Sequence, residues 1–236
     1  LKVNWQLADN TKIKFLISEV DLNDPADIWT IDGSLNTLSD RPGMDSQKTN
    51  SYGIKVFHSY DGFELQSYTS STNTNVIFSY DADWGNTDSH FPYVYDYFSE
   101  TLRDRKSFNQ EFRVVSDSAD FQKNSFFEWV IGASYLELKE SNLKKDDGLY
   151  GDPSDPYGPY VSASSFSSKY KSSNFSIFGN LDYLLSTSLK FSIGLRWEDW
   201  EADYSDSLQE SFNPTDKMSG GKISLIKNMT IYTNMY

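Results

Sequence analysis

The stretch LKFSIGLRWEDWEADY, residues 189–204, decides the fold. Leu189, Phe191, Ile193, Leu195 and Trp197 recur at every second position, with Lys190, Ser192, Gly194 and Arg196 between them. A period of two belongs to a β-strand with one apolar and one wet face.

The same alternation spreads outward from this stretch. SFFEWVIGASY (125–135) sets Phe127, Trp129, Ile131, Ala133 and Tyr135 against Glu128, Val130, Gly132 and Ser134. NFSIFGNLDYLL (174–185) sets Phe175, Ile177, Gly179, Leu181, Tyr183 and Leu185 against Ser176, Phe178, Asn180 and Asp182. Shorter rows run as Ile13, Phe15 and Ile17 around Lys14, and as Phe108, Phe112 and Val114 around Asn109, Glu111 and Arg113. The pattern predicts strands near 1–7, 12–22, 49–60, 63–80, 106–117, 125–139, 171–185, 189–204, 218–227 and 230–236, and no helix.

The connections between these segments alternate in length. ADNT (8–11), DG (61–62), 118–124, STS (186–188) and NM (228–229) are short, whereas 23–48, 81–105, 140–170 and 205–217 are long. In an up-and-down antiparallel sheet alternate connections lie on opposite edges, so all tight turns share one edge and all long loops the other. A soluble sandwich has no reason to sort its loops in this way. Outer-membrane barrels do, with short periplasmic turns, long extracellular loops, a lipid-facing apolar band and a polar lumen. Aromatic residues toward strand ends, among them Trp5, Tyr60, Phe63, Trp84, Tyr183, Trp197 and Tyr204, suit a bilayer interface. The alternative is that these rings cap a soluble core.

Composition narrows the class. The chain has 236 residues, 38% of them hydrophobic, with mean hydropathy −0.58, yet 16% are aromatic. Aromatic content at that level excludes a disordered chain, and the overall polarity is that of a protein wet on many surfaces. A net charge of −13 excludes a nucleic-acid backbone as partner. The absence of Cys excludes disulfides, thiolate metal sites and thiol nucleophiles. No apolar run approaches the roughly 20 residues of a spanning helix. The start LKVNWQLADN shows neither an initiator Met nor a signal peptide, so the chain is expected to be cytosolic or a piece of something longer.

NQEFRVVSD (109–117), FFEWVIGASYLELKE (126–140), NFSIFGNLDYLLSTSLKFSIGLRWEDWEADY (174–204) and NMTIYTNMY (228–236) resemble, in that order, the middle of the barrel of TonB-dependent outer-membrane receptors. TLSDRPGMDSQKTNSYGIKVFH (37–58) is also similar to members of that family. Order and spacing carry the resemblance, which covers most of the chain. It implies an all-β, antiparallel, transmembrane barrel of about 22 strands with an N-terminal plug inside. This sequence shows no TonB box, plug or closing aromatic strand, and ten strands alone would leave two open edges that a bilayer does not tolerate. Residues 1–236 are therefore expected to be an internal barrel fragment, without the plug domain and the C-terminal closing strands.

The resemblance further implies transport in the outer membrane of a Gram-negative bacterium, not catalysis. Partners implied are outer-membrane lipid, a small-molecule ligand such as a metal chelate, and the TonB complex acting through the plug. A ferric siderophore is the commonest substrate of the family, with cobalamin and sugars among the others. The alternative from another class is a soluble or cell-surface β-sandwich that binds carbohydrate through exposed aromatics.

If the strands face as assigned, Phe127, Trp129, Ile131, Phe175, Ile177, Leu181, Phe191, Ile193, Leu195 and Trp197 meet lipid. Glu111, Arg113, Lys190, Arg196 and Glu198 then face the lumen, since unpaired charge toward lipid is costly. Those charges either hold the plug and line the ligand's path, or are wall charges solvated by lumen water. Trp84, His90, Tyr93 and Tyr95 in DADWGNTDSHFPYVYDYF (81–98), and Tyr150, Tyr157 and Tyr160 in DDGLYGDPSDPYGPY (146–160), are candidate ligand contacts in extracellular loops. Ordinary turn chemistry with Tyr for packing is the other reading. Asp81, Asp83, Asp88 and His90 offer hard-metal donors but lack EF-hand spacing, so no metal and no cofactor is expected. No GxSxG, HExxH, P-loop or dinucleotide fingerprint occurs.

Overall fold

The structure is a computed structural model that describes residues 1–27, 29–117, 126–186 and 188–227. Strands β1 (Lys2–Ala8), β2 (Thr11–Pro25), β3 (Met44–Tyr60), β4 (Phe63–Asp81), β5 (Val94–Ser116), β6 (Phe127–Gly151), β7 (Tyr160–Ser186), β8 (Leu189–Asp206), β9 (Ser211–Phe212) and β10 (Thr215–Lys227) form one sheet. Each long strand pairs antiparallel with the next, in the order β1 to β8 and then β10, while β9 adds a short pairing to β8. This is the up-and-down meander predicted from the loop rhythm, and the sheet is not closed. The predicted strand 230–236 and the turns 228–229 and 118–124 lie outside the described residues.

The turns 9–10 and 61–62 share the edge of the sheet that holds the ends of β7 and β8 near 187–188. The long connections 26–43, 82–93 and 152–159 share the opposite edge, as does the segment 207–214 that carries β9. Gly62 takes φ +82° in the Asp61–Gly62 turn, a left-handed conformation that glycine enters without a Cβ penalty.

Register shows how the side chains sort. One row across the sheet runs Trp5, Ile13, Val56, Ser67, Phe112, Ala133, Ile177, Trp197 and Ser219, each the cross-strand partner of the last. The next row toward the tight turns carries Leu65, Val114, Ile131, Gly179, Leu195 and Gly221 in the same fashion. Below it come Trp129, Leu181, Ile193 and Ile223, and then Phe127, Tyr183, Phe191 and Leu225. The apolar residues of all these rows lie on one face, because the pleat alternates with period two.

No described residue packs over that face. Ala202 is the buried hydrophobic residue among those described, whereas Ile131, Ile177, Leu195, Ile223 and Leu225 are exposed. A β-sandwich would bring a second sheet against this surface at a spacing of about 10 Å. A single sheet stands here instead, so the sandwich architecture carried by the alternative reading is not the one found.

The strands are longer than the alternation predicts, by a residue at most at the tight-turn end and by many at the long-loop end. β5 begins at Val94, β6 runs to Gly151 and β7 begins at Tyr160, so much of the predicted loops 81–105 and 140–170 is strand. Beyond the apolar band both faces are mostly polar, the cross-strand row Ile77, Leu102 and Leu143 apart, and a segment wet on both sides carries little period-two signature for a pattern reading to detect. Its backbone ladder continues all the same, supported by polar cross-strand pairs. Arg105 binds Glu140 at 2.5 Å, Arg103 donates to Asn142 at 2.9 Å and Ser99 donates to Asp146 at 2.6 Å. Tyr95, Tyr150 and Tyr160 therefore lie on β5, β6 and β7 and not in loops.

Candidate functional site

The face opposite the apolar rows carries the charged residues singled out in the sequence. Glu111 and Arg113 on β5, and Lys190, Arg196 and Glu198 on β8, all point to it by register. Arg113 is ion-paired to Glu111 and Arg196 to Glu198, each two residues along its own strand. Lys190 donates to Asp182 on β7 at 2.8 Å, and Asn174 donates to Glu198 at 3.2 Å.

Aromatic rings link these charges across the sheet. The guanidinium of Arg113 lies 5.9 Å, and that of Arg196 5.7 Å, from the ring centre of Phe178 on β7. Arg113 also lies 5.2 Å from the ring of Tyr68 on β4, which Lys55 on β3 approaches at 5.0 Å. Lys14 on β2 stands 4.9 Å from Phe57 on β3. Phe57 meets Tyr68 edge-on with ring centres 5.8 Å apart, so cations and rings are joined from β2 to β8, each cation–ring contact contributing roughly 0.5–1 kcal/mol at an exposed surface. Between β5 and β7 the run crosses β6 at Gly132. A β-carbon there would sit 2.5 Å from Phe178 Cζ, so the absent side chain is what lets the ring reach toward Arg113. Sequence reading placed Phe178 on this face but gave no sign that it joins two arginines.

At the long-loop edge the candidate aromatics divide. Trp84, at φ 61°, stacks on Trp29 with ring centres 5.8 Å apart, which joins connection 82–93 to connection 26–43. His90 lies 5.1 Å from Tyr95, and Tyr95 lies 4.7 Å from Tyr97 and 6.4 Å from Tyr150. Tyr97 fills the space over Gly148, its partner on β6, where a Cβ would collide with the ring. Tyr93 is exposed but is not part of this cluster by ring contact. Tyr157, at 85% exposure, stands apart on connection 152–159, and Tyr160 is held by its hydroxyl to Asp155 at 2.7 Å. That bond, with one from Tyr157 N–H, keeps the Asp155 carboxyl below its usual range.

Asp83 anchors the inner turn of connection 82–93. Its carboxylate accepts from Tyr97 N–H at 2.7 Å and Gly85 N–H at 2.9 Å, and His90 Nε2 lies 3.6 Å away. Burial pushes the Asp83 carboxyl up; the two N–H bonds oppose this, and Asp81 adds to the rise. Arg41, from connection 26–43, bridges Asp96 at 3.2 Å and Asp147 at 2.7 Å and lies 4.6 Å from the Phe98 ring. Burial pulls the guanidinium down, but the two carboxylates outweigh it and raise its value. Trp29 and Arg41 sit in a segment without periodicity, so no local pattern marked them.

The fold and this two-faced arrangement match known proteins. The family described as TonB dependent receptor-like, beta-barrel matches residues 4–230. Among solved structures, the ferric yersiniabactin uptake receptor FyuA from Yersinia pestis superposes with TM-score 0.56 at 13% identity, over 92% of this chain and 32% of that one. The unliganded ferric citrate transporter FecA gives 0.60 at 10% identity, over 97% and 33%. BauA, the ferric preacinetobactin receptor from Acinetobacter baumannii, gives 0.60 at 16%, over 97% and 37%. The chain thus spans about a third of the length of these structures. None of the curated proteins matches it in sequence. A match over nearly the whole chain, on a meander of the same architecture, establishes that the chain belongs to the TonB-dependent receptor-like β-barrel family.

Proposed function

We propose that this chain is part of the wall of an outer-membrane barrel that imports a scarce nutrient with energy delivered through TonB, and that the nutrient is a ferric chelate. One observation carries the proposal most directly. Rows of large apolar side chains that cross the sheet lie on one face with no described residue packed over them, whereas the opposite face carries paired charge. In water such a surface is a liability of far more than a few hundred Å², but against lipid tails it is the ordinary outside of a barrel. Antiparallel pairing on both sides satisfies the backbone of the strands between β1 and β10, as a hydrocarbon environment requires.

In this reading Phe127, Trp129, Ile131, Phe175, Ile177, Leu181, Phe191, Ile193, Leu195 and Trp197 meet lipid. Glu111, Arg113, Lys190, Arg196 and Glu198 face a lumen occupied in the whole receptor by a plug that TonB engages. The aromatics of the long-loop edge meet the ligand outside. FyuA, FecA and BauA are described as handling ferric yersiniabactin, ferric citrate and ferric preacinetobactin, which supports an iron chelate for this chain. Family members are transport receptors, and no bond-breaking step is assigned here. Uptake of a panel of ⁵⁵Fe chelates by cells with and without the gene tests the reading. Loss of one chelate's uptake on deletion, and again on TonB depletion, is expected; undiminished uptake of every chelate contradicts the iron assignment.

A further inference from the structure

Connections 26–43 and 82–93, far apart in sequence, are joined side to side at the long-loop edge. Asp40 N–H donates to Gly85 O at 3.0 Å, and the Asn86 side-chain amide donates to Leu38 O at 3.0 Å. Trp29 stacks on Trp84, and Ile31 lies so close to Gly85 that a β-carbon there would come within 2.7 Å of Ile31 Cδ1. Segments tied by hydrogen bonds, a ring stack and an apolar contact order and loosen as one cooperative unit.

Asp83 fixes this unit to the sheet. Its carboxylate accepts from Tyr97 N–H on β5 and from Gly85 N–H, so it stands where the strand meets both connections. Asp81 and Asp83 are 3% and 5% exposed, and the Asp81 side chain lies within hydrogen-bonding reach of the Asp83 carboxyl. Asp81 Oδ1 accepts from Asp83 N–H at 3.2 Å, whereas its Oδ2 is buried and accepts nothing. His90 Nε2, 3.6 Å from Asp83 Oδ1, is also buried without a hydrogen bond. Connection 26–43 brings Asp40 to Gly85, while its Arg41 is engaged with Asp96 and Asp147. Among the described residues no lysine or arginine pairs with Asp81 or Asp83.

Two ionised carboxylates in contact, buried and without such a cation, repel each other. One proton between them removes a charge and supplies the donor that Asp81 Oδ2 lacks.

We propose that connections 26–43 and 82–93 form one composite cap, and that a proton held between Asp81 and Asp83 is the clasp that fixes the cap to β5. With the proton in place His90 is kept against Tyr95, a candidate ligand contact. As pH rises and the proton leaves, like charge opens the clasp and both connections loosen together. Control of ligand access by this cap rests on the receptor reading given above, whereas the clasp itself does not.

The test uses the full-length receptor that contains this chain, in membranes, with spin-label pairs at Leu35→Cys with Val161→Cys and at Thr87→Cys with Val161→Cys. These exposed positions measure each connection against β7. Salt at about 0.5 M screens the partly exposed tie made by Arg41. In the wild type both distance distributions are expected to broaden together as pH rises above 3.8, the loosened fraction growing by up to about tenfold per pH unit, the limit for one proton. Asp83→Asn, neutral and with a donor for Asp81, should keep both distributions narrow throughout, and His90→Gln should broaden as the wild type does. Broadening of one connection without the other overturns the composite cap. Distributions that ignore pH, that broaden equally in Asp83→Asn, or that lose their pH dependence in His90→Gln overturn the carboxyl clasp. Neither distance depends on ligand or TonB. A pH-dependent cap on a receptor that takes up no iron chelate therefore contradicts the function alone, and fixed distances on one that does contradict the clasp alone.

Discussion

The ring of Phe178 lies over Gly132, its cross-strand partner on β6, so closely that a β-carbon at 132 would come within 2.5 Å of it. This contact completes the run of cations and rings between Arg113 and Arg196. Gly132→Ala should therefore overpack the inner face and destabilise the barrel by about 1–3 kcal/mol. Phe178→Ala in the same background should recover much of that loss, with a coupling of roughly 0.5–3 kcal/mol in a double-mutant cycle of denaturant midpoints. Strict additivity would show that the two side chains do not meet.

Arg41 holds connection 26–43 to β5 and β6 through carboxylates that are partly exposed, so its tie is local and salt-sensitive. Asp147→Ala should cost at most about 1 kcal/mol. The readout is proteolysis within 26–43, which should quicken by up to about fivefold at low salt and converge with the wild type at high salt. A shift in the global unfolding midpoint without a change in loop cleavage contradicts this assignment.

Asp83 gives its connection a pH dependence of definite sign. Burial raises its folded value above the ordinary 3.8, so the folded loop holds the proton more tightly than the unfolded loop does. Stability from this group is then complete below 3.8 and is lost as pH rises through the window up to the folded value. Amide protection at Gly85 and Tyr97, corrected for intrinsic exchange, should fall across that window in the wild type. In Asp83→Asn that component of the slope should vanish. Protection that rises over the window would count against a raised carboxyl.

Trp84 and Tyr157 were equal candidates for ligand contact in the sequence, and the structure separates them. Trp84 is engaged with Trp29, whereas Tyr157 is 85% exposed with no ring contact among the described residues. Trp84→Ala should loosen connections 26–43 and 82–93 together and lower uptake through lost loop order. Tyr157→Ala should leave loop protection unchanged. A fall in uptake with Tyr157→Ala would then report a direct contact, and no fall would assign Tyr157 to the surface.

The legible and illegible parts of this chain follow from where side chains must choose a face. Residues 189–197 alternate because one side of β8 is apolar and the other polar, and the same demand made the lower halves of β6 and β7 readable. Above the band β6 and β7 are polar on both faces over most of their length, so Lys144, Asp146 and Ser164 could not announce that they continue strands. The cation and ring contacts of Arg113 and Phe178 come from positions 65 apart in sequence, joined by register and by a missing side chain at 132, a relation that no local pattern encodes. Trp29, Arg41 and Trp84 meet through loops whose paths turn chemistry alone does not specify.

In the proposed receptor one face of this sheet meets lipid and the other a water-filled lumen. The chain contains no cysteine, which suits single-site labelling. Spin labels at Phe191→Cys and Ser192→Cys in the intact, membrane-inserted receptor, probed with oxygen and with a water-soluble nickel chelate, compare adjacent positions on opposite faces of β8. Oxygen accessibility at 191 and nickel accessibility at 192 are expected; the reverse, or equal nickel access at both, contradicts the lipid-facing assignment of this face.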